Sequence, residues 1–492
     1  MKKILLLTFM LAGAAVVAVA AYPVNELEQL KTQLREANAA FEQAVQQHQA
    51  VVEAISRRIE ALEAATGQTN PAPATTASPP ATTASPTAPA PEPVSTPEAV
   101  SAPATVEAHQ PWSPSQPITL ARGGSSYLNL SFDALFAAGG SSSQDIESLE
   151  FGGHDPKQNG FTVQNLELTF DGAVDPYFRG QANLVTLIDT EGETVFEVEE
   201  AYLESLAFPW NLQLKAGQFY APFGRINATH PHTWDFVDQP LVIGRFLGPD
   251  GLRNPGAQLS WLTPTPFYSE LFLSVQDSHG ETALNFRNDE GAEWIGGRPA
   301  ADTSVRGPGD LIYSPRYAVS FDLADEHTVV LGASGAFGPN ATGGETRIYG
   351  ADLFYKWKSR HQHLGFPFVT WQTEFLHRDY RSAAYSGDPF NSPTPNHTLH
   401  DWGIYSQIAY GFYPRWVASL RGDFVTGAPG DFAENPLAND RARVSPALTF
   451  YPSEFSKVRL QYNYDDIDQT GIEHSIWLQM EFLLGAHAAH KF

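Results

Sequence analysis

Residues 458–484 read VRLQYNYDDIDQTGIEHSIWLQMEFLL, and their apolar residues recur at every second position. In the first half, Val458, Leu460, Tyr462 and Tyr464 alternate with Arg459, Gln461, Asn463 and Asp465. In the second half, Ile476, Leu478, Met480, Phe482 and Leu484 alternate with a set that includes Ser475, Gln479 and Glu481. Because successive side chains of a strand point to opposite faces, the pattern predicts two β-strands, each with one apolar and one polar face.

The same period of two extends back to residue 127 and defines sixteen candidate strands. They begin near Tyr127, Phe161, Tyr177, Thr194, Asn211, Pro255, Phe267, Ile312, Thr328, Thr346, Phe366, Asp401, Arg415, Arg443, Ser456 and His474. An even number of strands is typical of single-chain bacterial outer-membrane barrels. In the fourth strand, Glu197, Glu199 and Glu200 can share one face only if the strand contains a bulge.

The connections between these strands mostly alternate between short and long. Tight turns are predicted at residues 175–176, 208–209, 263–266, 324–326, 413–414 and 451–454. Short periplasmic turns, long outer loops and aromatic residues at strand ends are features of transmembrane barrels, whereas a soluble β-sandwich gives no reason for the asymmetry. We therefore expect residues 121–492 to form a sixteen-stranded antiparallel transmembrane β-barrel.

The first residues have the pattern of a secretory signal peptide. Lys2 and Lys3 precede an apolar stretch, and Ala18-Val19-Ala20 offers a cleavage site, so residues 1–20 are predicted to be removed after export. An uncleaved membrane anchor is the alternative. The sequence contains no cysteine, which excludes disulfides and a cysteine-linked lipid anchor.

Residues 21–66 carry a heptad seam, and residues 67–120 are low in complexity. The seam consists of Leu27, Leu30, Leu34, Ala37, Phe41, Ala44, His48, Val51, Ile55, Arg58 and Leu62, and its 3-4 spacing predicts an α-helical coiled coil. A single amphipathic helix packed on a domain is the alternative. The Pro-, Ala- and Thr-rich stretch that follows cannot bury a core, so it is predicted to be a disordered linker. Coil and linker are expected in the periplasm.

Charge and motifs exclude several classes of function. The formal net charge of −25 argues against a nucleic-acid partner, because binding DNA requires neutralising phosphates with Lys and Arg. The sequence lacks a G-x-S-x-G nucleophile elbow, an H-E-x-x-H zinc helix and a P-loop. We therefore expect no enzymatic activity and no cofactor.

Residues 217–225, GQFYAPFGR, resemble the GQF-x-x-PFG stretch between strand and loop in the phosphate-selective porin O and P group. The layout of signal peptide, coil, linker and barrel is similar to that group along nearly the whole chain. The continuation through His230-Pro231-His232 and residues 234–240 and 247–252, with the ending 485–492, is closer to a porin-like branch sometimes labelled a zinc-regulated or TonB-dependent outer-membrane receptor. The resemblance implies a trimeric outer-membrane porin.

In sixteen-stranded porins the third outer loop folds inward, and here this loop is residues 220–254. The charged and histidine residues expected at the pore constriction are Arg225, His230, His232, Asp235, Asp238 and Arg245. His230 and His232, with Asp235 and Asp238 close in sequence, are candidate ligands of a divalent metal such as zinc. The alternative is that Pro231 shapes a turn and the two histidines pack the loop.

Alternation also predicts which cations line the lumen: Arg179, Lys215, Arg316, Lys356, Arg421, Arg443 and Arg459. Their excess over the inward carboxylates Glu167, Asp352, Asp423, Asp465 and Glu481 favours passage of anions such as phosphate. The alternative is that these Arg and Lys residues form ion pairs with the carboxylates across the lumen. The acidic outer segments also argue against an anion bias, because they would enrich cations at the mouth of the pore.

The sequence thus predicts a homotrimeric porin in outer-membrane lipid that lets small ions and solutes diffuse passively, with a bias to anions. A structural protein that binds peptidoglycan through its coiled coil, a zinc-permeating channel and a soluble secreted all-β binding protein are the alternatives.

Overall fold

The computed structural model describes residues 116–288, 293–295, 298–387, 393–427 and 439–485. The chain divides into two units, Met1–Ala108 and His109–Phe492, and the described residues belong to the second. The predicted signal peptide, the predicted coiled coil and nearly all of the predicted linker lie outside the described residues.

Sixteen antiparallel strands form a closed barrel, in which each strand pairs with the next and the last, β16, pairs with the first, β1. The strands are β1 Ser126–Ser141, β2 Gly160–Ala173, β3 Phe178–Ile188, β4 Thr194–Ser205, β5 Leu212–Tyr220, β6 Arg253–Leu262, β7 Tyr268–Asp277, β8 Leu311–Ala324, β9 His327–Pro339, β10 Glu345–His363, β11 Phe366–Ser382, β12 His397–Tyr413, β13 Trp416–Val425, β14 Arg441–Ser453, β15 Ser456–Ile467 and β16 Gly471–Leu484. Every strand starts within four residues of the predicted position, so the predicted barrel is confirmed.

The other elements are short. The α-helices are α1 Ile146–Leu149 and α2 Leu241–Leu247, and the 3-10 helices are Pro209–Asn211, Pro231–Thr233, Glu281–Ala283 and Pro308–Asp310. A short strand that the sequence pattern did not reveal, Ile118–Gly123, pairs with the start of β1, and Trp294–Ile295 pairs with Arg298–Pro299. Among the described residues, no helix is long and apolar enough to cross a membrane.

The fourth strand contains a bulge, which is the condition under which Glu197, Glu199 and Glu200 can share one face. Asn183 of β3 pairs with Glu200 of β4, but the next residue, Leu184, pairs with Val198, so Glu199 is the extra residue. The bulge turns both Glu199 and Glu200 to the inside of the barrel, where they are buried.

The two faces of the wall differ in polarity, as the alternation predicts. On the outside, Leu460 and Met480 are 48% and 51% exposed. Their neighbours Arg459, Gln461 and Gln479 point inward and are buried. The barrel therefore presents apolar side chains to its surroundings and polar side chains to its interior.

The interior is partly filled by two loops, which we call loop 1 (residues 142–159) and loop 3 (residues 221–252). Helix α2 of loop 3 packs against the inner faces of β11, β12 and β13. Buried apolar residues of loop 3 form one cluster with wall residues that include Ile348, Leu376, Tyr405 and Val425. Loop 3 is thus a packed part of the barrel core.

Candidate functional site

Loop 3 leaves the wall through a turn that requires glycine. Gly224 has a φ of +58°, and a Cβ at this position would collide with the carboxylate of Glu374. That carboxylate accepts hydrogen bonds from the backbone N–H groups of Arg225 (3.0 Å) and Ile226 (2.9 Å) and from the Tyr405 hydroxyl (2.5 Å). The Pro-Phe-Gly segment therefore fixes the start of loop 3 to β11 and β12.

An apolar contact holds the middle of the loop. Val242 and Phe246 of α2 are fully buried in the cluster with Leu376 and Tyr405. The wall makes room for α2 at Gly403, where a Cβ would lie 2.7 Å from the Val242 side chain.

A polar contact centred on Asp238 holds the loop beside α2. Its carboxylate accepts hydrogen bonds from Arg421 (2.9 Å), Gln461 (2.5 Å) and Asn463 (3.1 Å), and it forms an ion pair with Arg443. All five residues are buried. Burial alone would raise the pKa of Asp238, but Arg421 and Arg443 outweigh it and lower the pKa.

Cations of the wall also bind backbone carbonyl groups of loop 3. Arg459 donates to the carbonyls of Trp234 (2.6 Å) and Phe236 (2.9 Å), and Lys457 donates to the carbonyl of His232. These hydrogen bonds satisfy buried carbonyls that no secondary structure pairs. Arg459, which the sequence pattern assigned to the lumen, is therefore bound to loop 3.

Loop 1 contacts both loop 3 and the part of the wall that holds Asp238. Glu150 pairs with Arg443 (2.6 Å), and Asp155 accepts from the backbone N–H groups of Gln239 (2.8 Å) and Gly152 (2.7 Å). Burial and, second, the charge of Asp238 raise the pKa of Asp155 to about 6. Part of the acidic segment that the sequence suggested for the outer mouth is therefore buried inside the barrel.

The predicted lumen cations separate into two groups. Arg316 pairs with Asp352 (2.6 Å), Arg421 pairs with Asp423 (2.8 Å), and Arg443 and Arg459 are buried beneath loop 3. The second group is only partly buried and comprises Arg179, Lys215 and Lys356, together with Arg225 at the start of loop 3. We call these four residues the basic wall.

Two residues of the basic wall lie against aromatic rings, and a third forms an ion pair. The Arg225 guanidinium lies 4.3 Å from the ring centre of Phe354 and donates to Gln372 (3.4 Å), and the Lys215 ammonium lies 4.0 Å from the ring centre of Tyr202. Arg179, whose side chain is 32% exposed, pairs with Glu204 at 2.5 Å.

Two further residues predicted for the constriction contact other parts of the wall and loops. Asp235 is partly exposed and accepts from Gln407 of β12 (3.5 Å). Arg245 donates to the carbonyls of Thr426 (2.8 Å) and Asn439 (3.4 Å), beyond the end of β13.

His230 and His232 turn toward β2 and β4, and the structure brings neither Asp235 nor Asp238 to them. His230 Nδ1 lies 2.8 Å from Glu199 Oε2 and 3.3 Å from Glu167 Oε2, and His232 Nδ1 lies 3.5 Å from Glu167 Oε2. Burial lowers the pKa of His230, but Glu167 and Glu199 outweigh burial and hold it well above its usual value.

The sequence pattern missed Glu167 and Glu199 as partners of the histidines. The one available signal was the need for a bulge among Glu197, Glu199 and Glu200, which places adjacent carboxylates on the inner face. Nothing local in the sequence shows that a loop thirty residues later meets them.

Fold and loop together define a closed sixteen-stranded β-barrel with its third outer loop folded into the interior. No protein-family model matches the sequence. An uncharacterized protein of Aquifex aeolicus (strain VF5) is 30% identical over 395 residues, which are 74% of this chain and 79% of that protein. The chain therefore belongs to the same family as the Aquifex aeolicus protein.

Three solved structures illustrate the similarity in fold. The outer membrane channel DcaP of Acinetobacter baumannii is 12% identical over 73% of this chain and 97% of its own, with a TM-score of 0.47. The anion-selective porin from Comamonas acidovorans is 8% identical over 73% and 100%, with a TM-score of 0.44. OprB of Pseudomonas putida is 10% identical over 73% and 94%, with a TM-score of 0.45.

Proposed function

We propose that the protein is an outer-membrane porin through which small ions and solutes diffuse passively, without covalent chemistry. The observation that carries the proposal is the combination of a closed barrel, an apolar exterior and a polar interior with an inward-folded loop. A soluble β-barrel buries apolar side chains and exposes polar ones, which is the reverse of the arrangement in this barrel.

The exterior supports a membrane location. Large apolar side chains point outward on strands around the barrel and are exposed, as Leu331, Phe375, Leu420, Leu448 and Leu478 illustrate. A closed barrel leaves no unpaired backbone edge, which is the condition for strands to cross a bilayer. A soluble protein with so much exposed apolar surface would aggregate.

The route through the barrel follows the basic wall. Loops 1 and 3 bury the polar side chains of β13, β14 and β15, whereas Arg179, Lys215, Arg225 and Lys356 stay partly exposed. On the same side, Glu270 is a partly exposed carboxylate that accepts from Tyr268 (2.6 Å). Arg225 and Lys356 lie close enough on this route for their charges to interact, and their joint charge is the basis for proposing a bias to anions, with phosphate as the first candidate.

The reversal potential of the purified protein in a planar bilayer under a salt gradient tests the anion bias. The double variant Arg225→Gln, Lys356→Gln removes two charges from the route and moves the reversal potential toward cations. Arg347→Gln is the matched control, because Arg347 pairs with Glu345 and is 36% exposed on the outer face of β10. An unchanged reversal potential in the double variant contradicts the assignment of the route.

The proposal also includes a homotrimeric assembly and a periplasmic coiled coil. Three copies form the functional unit in outer-membrane lipid, and residues 21–66 lie in the periplasm. Light scattering of the detergent-solubilised protein measures the number of copies, with three expected.

The heptad seam and linker support envelope tethering as a second role, in which the coil contacts peptidoglycan. Deleting residues 21–66 abolishes co-sedimentation with isolated peptidoglycan and leaves conductance intact if the roles are separate.

A further inference from the structure

We propose that Glu167, Glu199 and His230 bind a divalent transition cation of the zinc type, and that this cation fastens loop 3 to the barrel wall. His232 and Asp133 lie at the same place and complete the site. The site stands on its own geometry and does not depend on the proposed channel function.

Two of the three distances between the donor atoms suit a tetrahedral cation, and the third, between His230 and Glu199, would lengthen when an ion enters. Zinc holds nitrogen and oxygen ligands at about 2.0–2.2 Å, so two ligands of one tetrahedral ion lie roughly 3.3–3.5 Å apart. His230 Nδ1 lies 3.3 Å from Glu167 Oε2 and 2.8 Å from Glu199 Oε2. His232 Nδ1 lies 3.5 Å from Glu167 Oε2, so it reaches the same ion after a small rotation.

The carboxylates are oriented by hydrogen bonds to their other oxygen atoms. Glu167 Oε1 accepts from Thr169 (3.0 Å) and Asn183 (2.5 Å), and Glu199 Oε1 accepts from the Tyr220 hydroxyl (2.5 Å). Their Oε2 atoms are the ones that face His230. A longer contact of 3.4 Å joins the Asn165 amide to Glu167 Oε2.

The imidazole is oriented in the same way. His230 Nε2 lies 3.3 Å from Glu200 Oε2, which leaves Nδ1 directed at Glu167 and Glu199. A histidine ligand whose second nitrogen is held by a carboxylate is the usual outer-shell arrangement of protein metal sites. The bulge at Glu199 makes this possible, because it places Glu199 and Glu200 on the same face.

Several carboxylates are buried together at this place. Asp133 and Glu167 are 0% exposed, and Glu199 is 1% exposed. Both Asp133 oxygens have no hydrogen-bond partner among the described residues, and Asp133 Oδ1 lies 3.9 Å from His232 Nδ1. Buried carboxylates without partners are strongly unfavourable, and a divalent cation would neutralise them.

An acidic cavity lies close to the site. A cavity of about 200 Å³ opens among loop 1, residues 187–190 and the end of loop 3, and its lining includes the carboxylates Glu147, Asp155, Asp189, Glu197 and Asp250. His154 links the cavity to the site, because its Nε2 lies 3.9 Å from Asp250 Oδ1 and 3.7 Å from Glu199 Oε1. The acidic lining would attract a cation and pass it to the buried ligands.

Zinc binding to the full-length protein in detergent tests the proposal. After treatment with a chelator, the protein is titrated with zinc in competition with a chromophoric chelator, and bound zinc is counted by elemental analysis. We expect one zinc per chain. Glu199→Gln and His230→Gln preserve shape, and each weakens zinc binding by about a hundredfold or more because a ligand is lost.

The control uses the other cluster of potential ligands, His377, Asp379 and His400, which is partly exposed on the outer face of the barrel. The double variant His377→Ala, His400→Ala keeps the tight zinc. Heat-dependent migration on a denaturing gel shows that each variant is a folded barrel. A wild-type protein without tight zinc, zinc that persists in both ligand variants, or zinc lost in the control overturns the proposal.

Discussion

The replacement Asp238→Ala tests whether ionic contacts hold loop 3 inside the barrel. Removing one partner of a buried ion pair costs about 3–5 kcal/mol, because the remaining charge is left buried without compensation. Here Arg443 keeps Glu150 and Asp465, and Arg421 keeps Asp423, so the lower end applies. A loss of about 3 kcal/mol shifts the equilibrium between attached and released loop roughly a hundredfold toward release.

Two assays report the release of loop 3. In single-channel recordings, Asp238→Ala adds brief conductance transitions, because the loop moves in the lumen. Limited trypsin digestion then cleaves at Arg245, which in the wild-type protein is held in helix α2 by hydrogen bonds to the carbonyls of Thr426 and Asn439. Asp302→Ala is the matched control, since Asp302 pairs with the exposed Arg306 outside the barrel. Quiet recordings and full protease resistance in Asp238→Ala would refute the role of this contact.

Three further replacements test the packing, the membrane face and the turn. Phe246→Ala removes a fully buried side chain from the apolar cluster and lowers the free energy of unfolding by about 3–5 kcal/mol. The measurement is a urea titration in which the folded fraction is read from heat-dependent migration on a gel, and the variant unfolds at a lower urea concentration. Leu478→Arg places a charge on the lipid face and lowers the free energy of unfolding by about 2–4 kcal/mol in the same assay. Val174→Arg, in an exposed turn, is the control and changes the midpoint little. Equal midpoints for the two variants contradict the membrane orientation. Gly224→Ala forces a positive φ on alanine and displaces the carboxylate of Glu374, which holds the backbone at Arg225 and Ile226. Trypsin therefore cleaves after Arg225 in this variant. Protection equal to that of the wild type contradicts the account of the turn.

The barrel was predictable because its signal is local. Side chains of a strand alternate whatever the strand pairs with, and this is why the face of Arg459 and the bulge at Glu199 follow from the sequence. Proline and glycine mark the turns for equally local reasons.

The contacts of loop 3 were not predictable, because they depend on where a folded loop meets a distant wall. Alternation puts Arg421 and Arg443 on the inner face, but only the path of the loop brings Asp238 between them. The same path carries His230 away from Asp238, which follows it closely in sequence within the same loop, and toward Glu199, which precedes it by about thirty residues. A charge count along the strands therefore overestimates the cations that line the open route.

The most direct test of the proposed function is the conductance of the purified, folded protein in a planar bilayer under symmetrical salt. The account predicts discrete, reproducible steps of current as single barrels insert, and a reversal potential on the anion side once a salt gradient is applied. A protein that migrates as a folded barrel on the gel, inserts into the bilayer and passes no current would contradict the channel function.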